Sequence, residues 1–217
     1  MVVDDHAMVR QGLCAILSKD SRFKVAGQAK NGREAVPLVR TLQPDVVLMD
    51  IGMATLNGLE ATRQILANNP AAKVLILSAH SDRDYVERLI AAGVVGYIDK
   101  ESSAEILTKA IHEVAQGRKF FSAIIIQHLH SIANTPTGKD GSKKTNHSAL
   151  TRREAEVLQI IAEGATSKQI AAELNISIKT VEKHRQGIMD KLKIHDIAGL
   201  TRYAIAMGVI EGKAQLN

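Results

Sequence analysis

Short apolar runs alternate with amphipathic segments along the first half of the chain. Largely β-branched apolar runs, which predict strands, lie at 2–3, 23–29, 46–49, 74–77 and 95–98. Between them, apolar residues recur at helical spacing, which predicts helices near 7–18, 32–41, 58–67, 83–92 and 103–116. Strict alternation of strand and helix is typical of a doubly wound parallel sheet with helices on both faces. We therefore predict an α/β domain built on a five-stranded parallel sheet.

The second half of the chain reads as helices alone. Residues 134–148 (NTPTGKDGSKKTNHS) contain no large apolar side chain, which predicts a flexible linker that follows a short helix over 123–132. Beyond the linker, Thr151 and Glu154 have the spacing of a capping box, and the helix that they begin ends at Gly164. Further helices are predicted over 167–174, 178–192 and 197–207. A tight turn of three residues joins the first two of these, which predicts a small all-α helix-turn-helix domain.

The charged residues are unevenly distributed. The formal net charge is +5, with 14 basic and 14 acidic residues in 1–118 against 14 and 9 in 119–217. The entire excess belongs to the helical half, as expected of a module that binds a polyanion such as nucleic acid. The single cysteine, Cys14, excludes an intramolecular disulfide and a cysteine-based zinc site. No apolar run approaches the roughly 18 residues that span a bilayer, and the opening residues lack the pattern of a secretory leader, so we expect a cytoplasmic location.

Polar side chains stand where the predicted strands end. They are Asp4 and Asp5 after the first strand, Asp50 after the third, Ser78 after the fourth, and Asp99 and Lys100 after the fifth. Open α/β sheets bind their ligands at this edge. Because neighbouring carboxylates repel one another unless a divalent cation joins them, the edge is a candidate Mg²⁺ site. Asp50 could attack a phosphorus atom, while Lys100 binds the phosphoryl oxygens and Ser78 donates a hydroxyl.

Five segments, four of which contain these positions, follow one another in the chain: VVDDHAMVR, LMDIGM, NGLEA, LSAH and GYIDK. In this order they resemble the receiver domain of two-component response regulators over roughly residues 1–117. The resemblance implies a flavodoxin-like receiver fold and a partner histidine kinase that phosphorylates Asp50. It also implies that Asp5, Asp50 and the carbonyl oxygen of Gly52 hold Mg²⁺, with Asp4 as the second member of an acidic pair.

The same resemblance assigns the remaining polar positions of that edge. It implies that Lys100 binds the phosphoryl group and that Ser78 and Tyr97 form a switch pair. Phosphorylation of Asp50 would draw Ser78 toward the new oxygens and let Tyr97 turn inward, changing the surface of the fourth helix, fifth strand and fifth helix. The chain departs from the family pattern in two places. Only three residues precede the acidic pair in the first strand, so the start of the chain is truncated or misassigned, or a short strand suffices. After Met53, where the family usually has proline, this chain has Ala54.

The predicted helix over 178–192 has two distinct faces. On a helical wheel, Arg185, Ile188 and Leu192 fall within about 40° of Val181, which predicts the side toward the core. Polar residues occupy the opposite face and its shoulder, namely Lys179, Glu182, Lys183, Gln186, Asp190 and Lys193. Since the second helix of a helix-turn-helix enters the DNA major groove, the polar face is expected to meet DNA.

Base reading and phosphate binding are expected of different residues on this helix. A lysine donates to guanine and a carboxylate accepts from the cytosine amine, which are the roles expected of Lys183 and Glu182. Lys179 and Lys191 are expected to hold phosphates, and the two residues after Lys183 are assigned to the scaffold or to phosphate contact. The candidate residues for DNA contact are Lys179, Thr180, Glu182, Lys183, His184, Arg185, Gln186 and Lys191.

Residues 150–192, LTRREAEVLQIIAEGATSKQIAAELNISIKTVEKHRQGIMDKL, resemble the LuxR-type DNA-binding domain, including TVEKHR at 180–185. With the receiver-like half in front, the chain is identified as a member of the NarL/FixJ class of response regulators. The class implies a homodimer when active, in which the last helix forms an interface through Leu200, Tyr203 and Met207. The expected boundaries are 1–117 for the receiver domain, 118–148 for a helix with the linker, and 149–214 for the helix-turn-helix domain.

The leading hypothesis is a phosphorylation-controlled transcription regulator that dimerises and binds paired DNA half-sites. It is not an enzyme, apart from the phosphoryl chemistry at Asp50. One alternative is a regulator that binds DNA regardless of phosphorylation. The short first strand and Ala54 motivate this alternative. The other is a hydrolase that works through an aspartyl phosphate. Such hydrolases usually carry a second acid two residues after the nucleophile, where this chain has Gly52.

Overall fold

The computed structural model describes residues 1–79, 83–123, 125–127 and 150–210, without the side chains of 83–85. The predicted linker at 134–148 and most of the predicted helix at 123–132 lie outside these ranges. Contacts between residues divide the chain into two compact units, Met1–Thr137 and Gly138–Asn217. Within the described ranges, no helix is long and apolar enough to cross a membrane.

Parallel strands form the centre of the first unit. They are β1 (Val2–Val3), β2 (Gln28–Ala29), β3 (Val47–Asp50), β4 (Val74–Ser78), β5 (Gly96–Asp99) and β6 (Phe120–Phe121). They lie in the order β2-β1-β3-β4-β5-β6, and every neighbouring pair is parallel. The carboxyl ends of β1, β3, β4 and β5 therefore meet along one edge of the sheet.

Helices cover both faces of this sheet. They are α1 (Ala7–Ser18), α2 (Gly32–Leu42), α3 (Gly58–Asn68), α4 (Arg83–Ala91) and α5 (Ala104–Ala115). Val47 and Met49 pack with residues of α2, α3 and α4 on one face, whereas Leu48 packs with α1 and α5 on the other. Because successive strand residues point to opposite faces, a strand covered on both sides must be apolar throughout. The predicted doubly wound parallel fold is confirmed, with one more strand than expected.

The additional strand is β6, which the sequence pattern did not predict. Phe120 N donates to Val95 O at 3.1 Å, and Ser122 N donates to Tyr97 O at 3.0 Å. These bonds attach β6 to the free side of β5, and Ile125 beyond it is fully buried against the same core as α4. Two residues are too few to show a period of two, so backbone pairing and not side-chain pattern defines this strand.

The predicted strand over 23–29 is a strand only at β2. β1 pairs through Val2 with Gln28 and through Val3 with Ala29. Because β1 has only two residues, 23–26 have no strand beside them within the described part of the chain. The length of β2 is therefore limited by its neighbour and not by its own apolar residues.

Helices alone form the described part of the second unit. They are α6 (Arg152–Ala162), α7 (Ser167–Leu174), α8 (Ile178–Leu192) and α9 (Ile197–Ala206). Thr151 and Glu154 form the predicted capping box at the start of α6. Asn175 ends α7 in the left-handed conformation with a φ of 51°, and Ser177 caps α8, which produces the tight turn of a helix-turn-helix. One apolar core joins the four helices through Leu158, Ile170, Ile188 and Leu200.

Gly58, the first residue of α3, supplies a prediction about the packing that supports β3. A Cβ atom at this position would lie 2.0 Å from the carbonyl oxygen of Asp50, which no side-chain rotation can relieve. We predict that Gly58→Ala lowers the free energy of unfolding by about 1–3 kcal/mol. Urea-dependent hydrogen exchange of the β3 and β4 amides in the full chain measures this change.

Gly12→Ala in α1 is the matched control, because an added Cβ there meets no atom within 4 Å. It should raise the stability of the first unit by about 0.5–1 kcal/mol, since alanine favours a helix over glycine. A Gly58→Ala chain as stable as the wild type would show that the contact between α3 and β3 is not tight.

Candidate functional sites

The carboxyl edge of the sheet brings Asp4, Asp50 and Lys100 together. Lys100 Nζ lies 2.9 Å from Oδ2 of Asp4 and 2.9 Å from Oδ2 of Asp50. The side chains of Asp4 and Asp50 are 1% and 5% exposed, so both carboxylates are almost fully removed from water. Buried charges are tolerated only when they are paired, and this single ammonium group pairs with both.

Backbone contacts fix the orientation of the two carboxylates. His6 N donates to Oδ1 of Asp4 at 2.8 Å, and Ile51 N donates to Oδ1 of Asp50 at 2.7 Å. The guanidinium of Arg10 donates to the carbonyl oxygen of Asp4 at 2.7 Å. Each carboxylate therefore has one oxygen held by an amide and the other directed at Lys100.

Burial and charge shift the titration of this cluster in defined directions. Burial raises the pKa of Asp50, and Lys100 offsets that effect only in part. Burial alone would lower the pKa of Lys100, but the carboxylates of Asp50 and Asp4 hold it above its ordinary value. The ammonium therefore stays charged at neutral pH, and Asp50 binds a proton more readily than an exposed aspartate does.

Ser78 and Tyr97 lie side by side at the ends of β4 and β5. They are 3% and 2% exposed, and their side chains are joined by a hydrogen bond. Burial raises the pKa of Tyr97 to about 12, so its hydroxyl keeps its proton at neutral pH. Lys100 N donates to Ser78 O at 2.9 Å, which ties this pair to the acidic cluster. The Tyr97 ring is already turned inward in this structure, so the inward turn expected on phosphorylation is not a change away from this conformation.

The acidic residues fit a divalent cation. Ligand atoms of Asp4, Asp5, His6 and Asp50 all lie within 4.8 Å of one another. Within the described residues, the buried Oδ1 of Asp5 accepts no hydrogen bond of acceptable geometry, although Nδ1 of His6 is 2.8 Å away. An oxygen-rich set with an unsatisfied carboxylate suits a hard cation such as Mg²⁺. Gly52, whose carbonyl oxygen is the third expected ligand, is half-buried in the loop that follows β3.

His6 is a member of this cluster that the sequence analysis missed. It is the N-cap of α1 but makes no capping hydrogen bond with its side chain, which points instead toward Asp5 and Asp4. N-caps are usually serine, threonine, aspartate or asparagine, so a histidine directly after two aspartates was the available signal.

Burial along α8 matches the two faces that the wheel predicts. Val181 and Ile188 are fully buried, and the Arg185 side chain on the same face is 19% exposed. The exposed candidates for DNA contact are Lys179, Glu182, Lys183, Gln186 and Lys191, whereas Thr180 and His184 are half-buried. The basic side chains therefore lie on the surface that a helix-turn-helix presents to DNA.

Three of these candidates contact side chains of other helices in the second unit. Lys191 Nζ lies 2.6 Å from Oε2 of Glu154, so its charge is already paired. Glu182 and Arg185 both contact the hydroxyl of Ser167, a residue of α7 that the sequence analysis did not single out. No local spacing marks such contacts, since they join separate helices.

Two of the three predicted dimerisation residues are not on the surface. Leu200 is 0% exposed and Met207 is 4% exposed, because both belong to the core of their own unit. Tyr203 is half-buried. The exposed large apolar side chains of α9 are Ile197 and Ile205, at 50% and 43%. The helical pattern identified the apolar residues of this helix but not which of them face outward.

Family models match both units. The response regulator receiver domain matches residues 1–112, and the bacterial regulatory proteins of the luxR family match residues 148–204. A doubly wound sheet with a buried aspartate, a second aspartate and a lysine at its carboxyl edge defines the class of receiver domains. The chain belongs to the response regulators that join such a receiver domain to a LuxR-type DNA-binding domain.

Known relatives extend over nearly the whole chain. The transcriptional regulatory protein LiaR of Bacillus subtilis (strain 168) is 38% identical over 205 residues, covering 94% of this chain and 95% of its own. The transcriptional regulatory protein DegU of Brevibacillus brevis is 36% identical over 207 residues, with 90% and 88% covered. The crystal structure of the response regulator ChrA, from a heme-sensing two-component system, has a TM-score of 0.51 and 30% identity, with 97% of each chain covered.

Glu154 supplies a prediction about pH and stability. It accepts hydrogen bonds from Thr151 N at 2.7 Å and from Lys191 Nζ at 2.6 Å. Burial raises the pKa of Glu154, but Lys191 and Thr151 outweigh burial and hold that pKa below its ordinary value. A carboxylate with a lowered folded pKa stabilises the fold above its unfolded pKa, and this contribution is lost as pH falls through the folded pKa.

We predict that Glu154→Gln lowers the free energy of unfolding of the second unit by about 1 kcal/mol at pH 7. The difference should shrink as pH falls below the unfolded pKa of about 4.3 and disappear once Glu154 is protonated in the folded protein as well. Urea-dependent hydrogen exchange of the α6 and α8 amides measures it. Glu173→Gln, at an exposed position of α7, is the control and should change stability neither at neutral pH nor in acid. If Glu154→Gln stays less stable than the wild type in acid, the ion pair with Lys191 is not the source of the difference.

Proposed function

We propose that Asp50 accepts a phosphoryl group from a partner histidine kinase and that this event controls binding of double-stranded DNA by the second unit. The observation that carries the proposal is the pairing of Lys100 Nζ with Asp4 and Asp50, each at 2.9 Å. The same cation that neutralises the carboxylates is in place to bind the phosphoryl oxygens after transfer. The protein is then a transcription regulator whose chemistry is confined to gaining and losing that phosphoryl group.

The proposed transfer starts from a carboxylate oxygen of Asp50. Its bond to phosphorus forms as the bond between phosphorus and the phosphohistidine nitrogen breaks, and the imidazole leaves with that electron pair. The negative charge of the aspartate is thereby replaced by the charge of the phosphoryl oxygens, which Lys100 can bind. Ile51 N restricts the carboxylate before the donor arrives, so less orientational freedom is lost during transfer.

We propose that Asp5, Asp50 and the carbonyl oxygen of Gly52 hold Mg²⁺, with Asp4 completing the acidic pair. When bound, Mg²⁺ offsets the repulsion between the carboxylates and the incoming phosphoryl oxygens. The unsatisfied Oδ1 of Asp5 supports this assignment, because a buried carboxylate oxygen without a donor is costly. The protein's own contribution is the spacing of the oxygens, which the ends of β1 and β3 fix.

The signal is proposed to leave the site through Ser78 and Tyr97. Donation by the Ser78 hydroxyl to the phosphoryl oxygens competes with its hydrogen bond to Tyr97. Because the Tyr97 ring packs in the core that also contains Val86 and Leu89 of α4, a change in its position alters the surface formed by α4, β5 and α5.

DNA binding is proposed to use the exposed face of α8. Lys183 and Glu182 are assigned to contacts with base edges, and Lys179 to contact with phosphate. Gln186 is assigned to a contact with a base edge or with phosphate. His184 and Arg185 remain assigned to the scaffold or to phosphate. Lys191 is assigned to phosphate only in competition with its ion pair to Glu154.

The active form is proposed to be a homodimer on paired half-sites, located in the cytoplasm with its DNA and its kinase. Ile197 and Ile205 give α9 an exposed apolar surface for this contact, beside the half-buried Tyr203. The proposed domains are a receiver at 1–117, a helix and linker at 118–148, and a DNA-binding domain at 149–214.

Asp50→Asn should abolish phosphorylation. Wild-type chain incubated with acetyl phosphate and Mg²⁺ is expected to gain one phosphoryl group at Asp50, detected by intact-mass and peptide mass spectrometry. Asp99→Asn, which removes the acid at the end of β5, is the control and should still be labelled. Label on another residue, or none on the wild type, would contradict the assignment. Continuous turnover of a small phosphoester would instead support the aspartyl-phosphate hydrolase.

The phosphodonor should raise the DNA affinity of the wild type by about 10-fold, a typical coupling between sites, and leave that of Asp50→Asn unchanged. Fluorescence anisotropy with a duplex selected by the wild type measures both affinities. Equal affinities for both proteins, with and without phosphodonor, would support the alternative of DNA binding independent of phosphorylation.

Lys183→Ala should weaken binding to the selected duplex by about 10-fold without changing stability, because this lysine is exposed and is assigned to a base. Lys24→Ala, which removes an exposed positive charge from the segment between α1 and β2, controls for net charge and should have no effect on DNA affinity. Anisotropy over a range of salt concentrations measures both variants. Equal losses in the two would mean that Lys183 acts through net charge alone.

A further inference from the structure

Ser167 connects the first turn of α7 to the helix that is proposed to read DNA. Its hydroxyl donates to Oε1 of Glu182 at 2.5 Å and accepts from Nη1 of Arg185 at 2.9 Å. Nε of Arg185 lies 3.9 Å from Oε2 of Glu182. Ser167 is not the cap of α7, since Thr166 provides that hydrogen bond, so its hydroxyl is available for contacts between helices.

The restraint on Glu182 is unusual for its position. Its side chain is 55% exposed, and an exposed glutamate ordinarily samples several rotamers. It also carries a negative charge on a surface that is proposed to approach phosphates, where such a charge is repelled. A carboxylate held in one orientation on this face can accept a hydrogen bond from the edge of a base.

We propose that Ser167 is a positioning residue that sets the DNA sequence preference of α8. By holding Oε1 of Glu182, it leaves Oε2 to accept a hydrogen bond from the exocyclic amine of a cytosine in the major groove. Among the described residues, Oε2 of Glu182 accepts no hydrogen bond, and its distance from Arg185 keeps it open to a ligand. This inference rests on the DNA-binding function proposed above.

Cytosine is favoured over adenine by the groups beside the amine. Adenine presents its N7 acceptor next to the amine, and a carboxylate fixed at that edge is repelled by N7. On the side of the amine where adenine presents N7, cytosine presents only its C5 carbon, which is not an acceptor. A mobile glutamate can turn away from N7, whereas one held by Ser167 cannot, so the serine adds discrimination and not only affinity.

Base discrimination in the full-length chain tests this role. Duplexes are first selected from a random library by the wild type, and the affinities of single-base variants of the selected site are then measured by competition. At one position the wild type should prefer cytosine by about 10-fold, the scale of one base contact. Ser167→Ala should reduce that preference to about 3-fold or less while changing the affinity for non-specific duplex and the salt dependence little, because no phosphate contact is lost.

Further variants separate positioning from a structural role. Glu182→Ala should lose the preference at the same position, and Ser167→Ala with Glu182→Ala should lose no more than Glu182→Ala alone. Ser167→Thr keeps the hydroxyl and should restore discrimination. Thr41→Ala removes a hydroxyl from α2, where it donates to Pro37 O in its own helix, and should leave discrimination unchanged.

Wild-type discrimination in Ser167→Ala would overturn the proposal, and so would an equal loss of affinity for every duplex. Binding of DNA by the wild type without any preference for cytosine would also overturn it while leaving the proposed DNA binding intact. Failure of the wild type to bind any duplex, with or without phosphodonor, would instead refute the DNA-binding function itself.

Discussion

The ion pair of Lys100 with Asp4 and Asp50 is the interaction on which the first unit depends. Two carboxylates this deeply buried lose their hydration and repel each other, at a cost of several kcal/mol for each ion. One ammonium group at 2.9 Å from each offsets both effects and leaves the trio with a single net negative charge. Because the amide of Lys100 is held by Ser78 O, the ends of β4 and β5 fix the cation in place. That remaining charge makes the edge attractive to a divalent cation.

Features with a local pattern were predictable, and features decided by a neighbour were not. β3 and β4 are continuous apolar runs because both faces of the sheet are covered, and α7 and α8 begin and end at recognisable capping residues. The order of strand-end residues predicted that Asp4, Asp50 and Lys100 would lie together. β6 and the short β2 depend on backbone pairing with another strand, and the orientation of His6 toward Asp5 depends on a side-chain torsion. The spacing of residues in the sequence does not indicate any of these features.

In the second unit, polar contacts between side chains fix the relative positions of helices that apolar packing alone would allow to shift. Glu154 and Lys191 join the start of α6 to the last turn of α8, and Ser167 joins α7 to α8 through Glu182. These partners are far apart in the sequence, so no motif indicates them. The position of Leu200 was unpredictable for a related reason. A helix with apolar residues on several sides does not reveal which of them meets its own core.

β6 keeps the chain attached to the sheet beyond the end of α5. Ser122 N is bonded to Tyr97 O, and Ile125 is buried in the same core as the Tyr97 ring. The chain therefore does not leave the first unit at the end of α5 but crosses to β5 and stays attached there. Because Ser122 N is bonded to Tyr97 O, a displacement of the strand that carries Tyr97 is passed directly to the residues that follow β6.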